Sequence, residues 1–404
     1  MNAPVDIGSG PSDQAIPGPF VPFSRPTIEE DEICEVVDTL RSGQLTTGPK
    51  TARFEDQFRE RFAAPAIAVN SATAGLHLAI AALDCESADE VIVPALTWAS
   101  TANVVELSGA RTVFADVDRE TLCMDPLDVG RRITKRTRAI IPVHYAGQPV
   151  DLDTLRGIAA AHKVLCVEDA AHALGTEYRG VEIGATGEMV VFSFHPNKNI
   201  TTGEGGMILC RDPARAARLR RLRFHGIERD AWARSQGGGS PVVDVREPGW
   251  KFNMLDIQAA IGLRQLPKLE RFIAARAAQA ERYRVALAHV PEVQPLGSVK
   301  YPARHAWHLF VVRLELEQLG CTRDEFVAAM FAEGVGCGVH YPALHLQSHY
   351  RKRYGYQLGM LPVAEDLGSR ICSLPLYPSL APEAQERVVA AVQRAVCRLK
   401  RRRT

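Results

Sequence analysis

A chain of 404 residues, 46% hydrophobic and 24% charged, is long enough to bury a sizeable core and has the composition of an ordinary globular protein. A formal net charge of +1 argues against a nucleic-acid binder, and no apolar run reaches the roughly 18 residues of a membrane-spanning helix. Nine cysteines, an odd number with no CxxC pair and several within apolar runs, predict reduced core thiols and a cytoplasmic protein.

Residues 1–21 are rich in Gly, Pro, Ser and Asp, lack the charged start and apolar centre of a signal peptide, and read as a disordered leader. Order is predicted from Thr27, where TIEE has the form of a capping box with Thr27 as N-cap. Phe54, Phe58 and Phe62 then place one apolar stripe along a helix. Short apolar runs follow at 66–70, 90–95, 112–117, 139–144, 164–171, 189–195 and 206–210, most of them separated by helical patterns such as AGLHLAIAAL and LDTLRGIAAAHK. Near-continuous apolar strands alternating with helices predict an α/β fold whose mainly parallel sheet is covered on both faces. The last two runs are joined only by the loop in SFHPNKNITTGEGG and can instead form a hairpin-like pair. Segment 228–249, with three successive glycines, predicts a long exposed loop. A helical pattern over 256–290, a strand at 306–315, a helix at 322–334 and a closing helix predict a smaller α+β domain. The division expected is 22–265 for a large α/β domain and 266–404 for the small one, with the cationic end RLKRRRT a solvated helix terminus.

In such sheets ligands gather beyond the carboxyl ends of the strands, so the residues after each strand carry the functional signal. After the first strand, NSATAGLHL opens a helix on small residues and leaves amides free for a phosphate, although any strand–turn–helix favours such residues. Trp98 follows the second strand, as a stacking face for a planar ligand or as an aromatic at the core edge. Glu168, Asp169 and His172 follow the fifth, where two acids are costly unless exposed, paired or ligated; no HExxH or CxxC pattern supports a metal. Lys198 lies between the last two strands. His144, His195, His225 and His308 stay open between ligand and structural roles. A phosphate seat, a flat stacking face, a carboxylate and a lysine, in this order, form the set that pyridoxal phosphate requires.

The segments SGQLTTGPKTARFE, NSATAGLHLA, PALTWASTAN, PVHYAGQPVDLD, EDAAHALGTEYRG, SFHPNKNITTGEGG, KFNMLDIQAAI and RICSLPLYPSL resemble those of the DegT-type sugar aminotransferases. That family lies within the aspartate-aminotransferase superfamily, and the resemblance runs from about Pro22 to the end. It implies the pyridoxal-phosphate-dependent transferase fold of type I, with a seven-stranded, mainly parallel sheet between helices. It implies Lys198 as the lysine that condenses with the cofactor and shuttles the proton, and Asp169 as partner of the ring nitrogen. Trp98 would stack on the ring, His172 sit near its hydroxyl, and Thr73, Ala74 and Ser193 hold the phosphate. Asn253 matches an asparagine that completes the phosphate site of a second subunit, so a homodimer with shared sites is expected. His340, Tyr341 and His345 match the substrate side.

The expected reaction carries the amino group of L-glutamate to C4 of a nucleotide-linked 4-keto sugar, in lipopolysaccharide or other cell-surface polysaccharide synthesis. SATAG, IIPVHYAG, EDAAHA and HAWHLF are most similar to enzymes that aminate a UDP-linked 4-ketopentose. HPNKNITTGEGG and GVHYPALHLQSHY are equally similar to those acting on UDP-, dTDP- or GDP-linked 4-keto-6-deoxyhexoses. A related dehydratase would carry histidine in place of Lys198, and a non-catalytic regulator would be expected to have lost Lys198, Asp169 or the phosphate seat.

Overall fold

The computed structural model describes residues 18–227 and 243–401. The leader expected at 1–21 lies outside them through residue 17, as do most of the expected loop, residues 228–242, and the last three residues of the basic end. Among the described residues no helix is long and apolar enough to cross a membrane.

Each apolar run of the first half becomes a strand: β1 (Ala66–Val69), β2 (Glu90–Pro94), β3 (Arg111–Ala115), β4 (Thr137–Ile140) and β5 (Leu165–Asp169). After a small ribbon of β6 (Glu177–Tyr178) and β7 (Val181–Glu182) come β8 (Met189–Ser193) and β9 (Gly206–Cys210). The seven-stranded sheet has the order β1-β9-β8-β5-β4-β2-β3. Its pairs are parallel from β3 through to β8, while β9 runs antiparallel to both β8 and β1. The hairpin reading therefore holds for β8 and β9, from Met189 opposite Cys210 to Ser193 opposite Gly206. The connection between them contains no helix, and a parallel crossover needs one or a comparable length of chain.

Phe54, Phe58 and Phe62 seat helix Pro49–Phe62 on this sheet, with Phe54 and Phe58 each about 5.5 Å from the Phe194 ring and Phe62 5.6 Å from that of Phe192. The ladder thus anchors the start of the β8–β9 loop. Helix Ala72–Ala81 lies so close to the sheet that a Cβ on Gly75 would stand 2.7 Å from Val191 Cγ1. A side chain there would lift the helix away from the strand ends.

Apolar side chains gather in two clusters, one around the large sheet and one around an antiparallel sheet of order β10-β12-β13. These are β10 (Val293–Pro295), β12 (Phe310–Leu314) and β13 (Ile371–Leu374), covered by helices Leu269–Leu287, Arg323–Ala332 and Pro382–Arg401; β11 (Ala303–Arg304) pairs with β6. Val21 belongs to the second cluster and exchanges backbone hydrogen bonds with Gly334 and Gly336, so order begins ahead of Pro22. Between Tyr341 and Ile371 the chain returns to the first cluster.

Three local expectations change. The first helix starts at Glu30, and Glu32 rather than Glu30 accepts the capping N–H, from Glu29 at 2.8 Å. Thr27 is held outside the helix because its carbonyl accepts from Gln265 Nε2 at 2.9 Å. The pattern over 256–290 divides into Asp256–Gln265, a 3₁₀ turn Leu266–Lys268 and Leu269–Leu287, because Pro267 has no N–H to continue the ladder. Cys34 and Cys397 are exposed rather than in the core.

One carboxylate ties two of the recognised segments together. Asp256, 1% exposed, accepts the N–H groups of Gly48, Lys50 and Thr51 at 2.8, 3.0 and 2.8 Å and the Thr51 hydroxyl at 2.7 Å. It caps helix Pro49–Phe62 from across the fold, where a negative charge also suits the helix dipole. Asp256→Ala strands those donors in the interior and should cost roughly 3 kcal/mol, read as a lower urea midpoint. An unchanged midpoint would refute the capping role.

Candidate active site

The carboxyl ends of β1, β2, β5 and β8 open on one cavity of about 600 Å³. At the first, Ser71 caps helix Ala72–Ala81 by accepting from the Ala74 N–H at 3.1 Å. The first-turn amides of Ala72 and Thr73 have no partner within the helix, and the helix dipole makes this end attractive to an anion. Gly206 of β9 backs the turn so closely that a Cβ would meet Ala72 N at 2.8 Å.

At the end of β2, Trp98 is 62% exposed and lines the cavity with Thr97. Thr97 and Thr101 face each other one helical turn apart, hydroxyl to hydroxyl at 3.1 Å, and Thr101 donates to Asp169 Oδ2 at 2.9 Å. The other Asp169 oxygen accepts the Ala171 N–H at 3.1 Å. Burial raises the Asp169 pKa above the ordinary aspartate value, while these two donors and the charge of Lys198 pull the other way.

Lys198 follows β8 in a turn closed by its own N–H to the His195 carbonyl, 2.9 Å. Withdrawal of its amine from water draws the pKa down to about 8, opposed by the Asp169 charge. The His172 ring lies tilted 4.3 Å from that of His308, centroid to centroid, and burial first, then the charges of Lys198 and His340, hold its pKa well below the usual histidine range. Its Nδ1 accepts the Ala146 N–H at 3.3 Å, so in the neutral ring Nε2 carries the proton and donates to the Tyr341 hydroxyl at 3.1 Å. That leaves the Tyr341 O–H to be directed elsewhere.

Thr73, Trp98, Asp169, His172, Ser193 and Lys198 line the cavity, and Gly338–Tyr341 close its other side, bringing in His340 and Tyr341. Ala74 contributes its amide to the Ser71 cap and does not line the cavity. Asn253 stands outside it within one chain, donating to Thr47 Oγ1 at 2.6 Å and accepting from Lys251 Nζ at 2.5 Å. His345, expected on the substrate side, is instead fully buried against Glu365, 2.9 Å away, and Tyr356, and does not line the cavity. Glu168 does not converge with Asp169 either. Alternation along β5 sends it to the opposite face, where it binds Arg156 at 2.7 Å, Thr186 at 2.8 Å and His144 at 3.2 Å.

Sequence reasoning missed Thr101, Thr97 and Phe23; only the i, i+4 spacing of the two threonines after β2 hinted at the first pair. His308, which it left without a role, lies 3.4 Å from the Lys198 amine. The residues present fit pyridoxal phosphate: free amides at a helix start, an exposed indole face, a carboxylate kept ionisable by two donors, and a desolvated amine on the same cavity.

Residues 26–393 match the family DegT/DnrJ/EryC1/StrS aminotransferase. Among solved structures, the chain is 32% identical to a sugar aminotransferase from Streptococcus pneumoniae in its PMP form, with a TM-score of 0.86 over 94% of this chain and 100% of that one. The same protein is also known in a PLP form. The chain is 27% identical to PseC of Helicobacter pylori, an aminotransferase of pseudoaminic acid biosynthesis, with a TM-score of 0.87 over 94% and 100% of the two chains. To DesV of S. venezuelae it is 33% identical, with a TM-score of 0.83 over 94% and 99%.

Only the neutral form of an amine is nucleophilic, so a lysine with pKa about 8 becomes reactive as pH rises through 8, more than two pH units below an ordinary lysine. Competitive acetylation of the cofactor-free protein, read by mass spectrometry on the Lys198 peptide, should give a midpoint near 8. Asp169→Asn removes the charge that favours the ammonium form and should lower that midpoint further. A midpoint near the surface-lysine value would contradict the desolvation of the amine.

Proposed function

The chain belongs to the DegT/DnrJ/EryC1/StrS aminotransferase family and is a pyridoxal-phosphate-dependent sugar aminotransferase; from that premise we propose that it moves the amino group of L-glutamate to C4 of a UDP-linked 4-ketopentose. The observation that carries the chemistry is the convergence of the Lys198 amine and the Asp169 carboxylate on one cavity. The segments IIPVHYAG, EDAAHA and HAWHLF support the pentose. A second reading, a nucleotide-linked 4-keto-6-deoxyhexose, is favoured by the segment carrying His340 and Tyr341.

When bound, pyridoxal phosphate supplies an aldehyde that takes up amines and an electron-poor ring that accepts the charge of Cα deprotonation. Thr73 and Ser193 would hold its phosphate, with Ala74 holding the Ser71 cap beside them, Trp98 its ring face, Asp169 its ring nitrogen and His172 the side of its hydroxyl. Lys198, with a substantial neutral fraction near pH 8, removes the Cα proton of the amino donor and returns one during transfer to the sugar. Asp169 does its part as a carboxylate, which the Thr101 hydroxyl and the Ala171 amide favour. Tyr341, already accepting from His172, is left with its own O–H to offer toward the cavity it lines.

On this reading Asn253 completes the phosphate site of a second copy in a homodimer, and the protein works in the cytoplasm on precursors of a cell-surface polysaccharide. The visible absorbance of the cofactor-loaded protein should bleach with L-glutamate and return on addition of the UDP-4-ketopentose. Recovery only with a UDP-, dTDP- or GDP-4-keto-6-deoxyhexose would replace the first reading by the second. Lys198→Ala should abolish turnover by about 10³-fold or more. Asp169→Asn should keep the cofactor yet bleach roughly 10²-fold more slowly, and an unaltered rate would remove Asp169 from the mechanism.

A further inference from the structure

The strand expected at 306–315 begins only at Phe310, because the chain just before it is bent out of line. Trp307 has φ 49°, a left-handed conformation that a bulky residue adopts only when its surroundings impose it. Those surroundings are specific. Arg276, 2% exposed, donates to the carbonyls of Leu376 at 2.8 Å, His308 at 3.2 Å and Trp307 at 3.3 Å. The N–H groups of Ala306 and Leu309 donate to the Gly147 and Ala146 carbonyls at 3.0 and 3.2 Å.

What this bend delivers is the ring of His308, buried behind the cavity, with Nε2 3.4 Å from Lys198 Nζ. The other ring nitrogen, Nδ1, is buried and has no hydrogen-bond partner among the described residues. A buried polar atom left unpaired in a fold needs a reason. If the lysine N–H donates to Nε2, the ring proton must sit on Nδ1, where nothing accepts it; in the other tautomer the Nδ1 lone pair is wasted instead. Either way the fold gives up one hydrogen bond and keeps Nε2 aimed at the lysine. Burial first, then the charges of Lys198, His172, Arg276 and His340, hold His308 far below its usual range, so the ring is neutral and able to accept.

We propose that His308 is a positioning residue for Lys198, the post on which the lysine amine rests by an N–H to Nε2 hydrogen bond whenever that amine is not covalently engaged. The proposal deepens the role given to Lys198 above and rests on it. A lysine released during transfer has four rotatable bonds, and a fixed acceptor keeps it beside the cavity rather than searching. Arg276 acts one step further back, by fixing the backbone that carries the ring. An acceptor also favours the ammonium form, so His308 works against the desolvation of the amine. The charged or titratable groups around the pair are Asp169, His172, His340 and Arg276, and none is altered in the test.

The cofactor-free full-length protein is labelled by competitive acetylation, with the wild type, His308→Leu and His308→Gln compared. Gln reaches the position of Nε2 with an acceptor; Leu fills the space without one. The Lys198 midpoint should fall by about one unit in the Leu variant and stay within a few tenths of a unit of the wild type in Gln. In the loaded enzyme, kcat should fall about 10-fold for Leu with the KM for L-glutamate within twofold, and Gln should recover most of it. Equal midpoints in the wild type and the Leu variant would overturn the proposal. If the Leu variant does not fold, His308→Asn, whose amide stops short of Lys198, takes its place under the same criterion. A wild-type midpoint at the ordinary lysine value would overturn the role of Lys198 as well, which separates that failure from failure of the His308 contact alone.

Discussion

Burial works against charge on two groups that line the same cavity: it draws the Lys198 amine down to about 8 and pushes the Asp169 carboxyl up. Each is also the other's countercharge, so neither can be understood singly. The fold resolves the conflict differently on the two sides. Asp169 receives two donors, from Thr101 and Ala171, which favour the carboxylate. Lys198 receives one weak neutral acceptor and no carboxylate within ion-pairing distance among the described residues, which leaves its amine free to gain and lose a proton near neutral pH. A lysine paired to a close acid would be locked as a cation and useless as a base. The spacing of these two residues is therefore the quantity that the sheet, the helix starts and the β8–β9 turn have to preserve.

That spacing comes from strand order more than from any one contact. β5 and β8 are parallel neighbours, paired up to Asp169 opposite Val191, so Asp169 and the turn after Ser193 emerge at the same edge. The antiparallel β9 returns at once and presses Gly206 against the start of helix Ala72–Ala81. The anion seat and the lysine are thereby built on two ends of one short connection. The Phe54, Phe58 and Phe62 ladder packs against Phe192 and Phe194 on the strand and the turn itself, so the core carries the geometry of the site directly.

Much of this was legible in the sequence because it depends on local patterns. The seven strands are near-continuous apolar runs, Trp98 and Lys198 follow two of them, and Asp169 ends a third. What was not legible depends on partners far along the chain. Thr27 has good capping chemistry, yet a hydrogen bond from Gln265 takes its backbone away from the helix. His345 sits in a motif with His340 and Tyr341, but the chain turns between them and Glu365 draws the ring into the core. Glu168 and Asp169 are adjacent in sequence and opposite in space, as alternation along any strand requires. Asn253 is placed by contacts to Thr47 and Lys251, and no local pattern reveals which way its amide faces.

The cavity also shows a division of labour. Asp169 and Lys198 stand at or next to strands of the large sheet, each fixed by register and core packing. Gly338–Tyr341 reach the cavity from the opposite side, after the helix Arg323–Ala332 of the second cluster and beside β13, where Gly338 bridges to Ser373 and His340 Nδ1 meets the Ser373 hydroxyl at 2.9 Å. Movement of that wall would reshape the cavity while leaving the distance from Lys198 to Asp169 to the sheet. A substitution at the wall therefore has a route to altering substrate choice that does not pass through the proton chemistry. The Tyr341–His172 hydrogen bond joins the wall to the cofactor side, as does the Tyr145 hydroxyl donating to the His340 carbonyl, and together they couple the position of the wall to the ring that would face the cofactor.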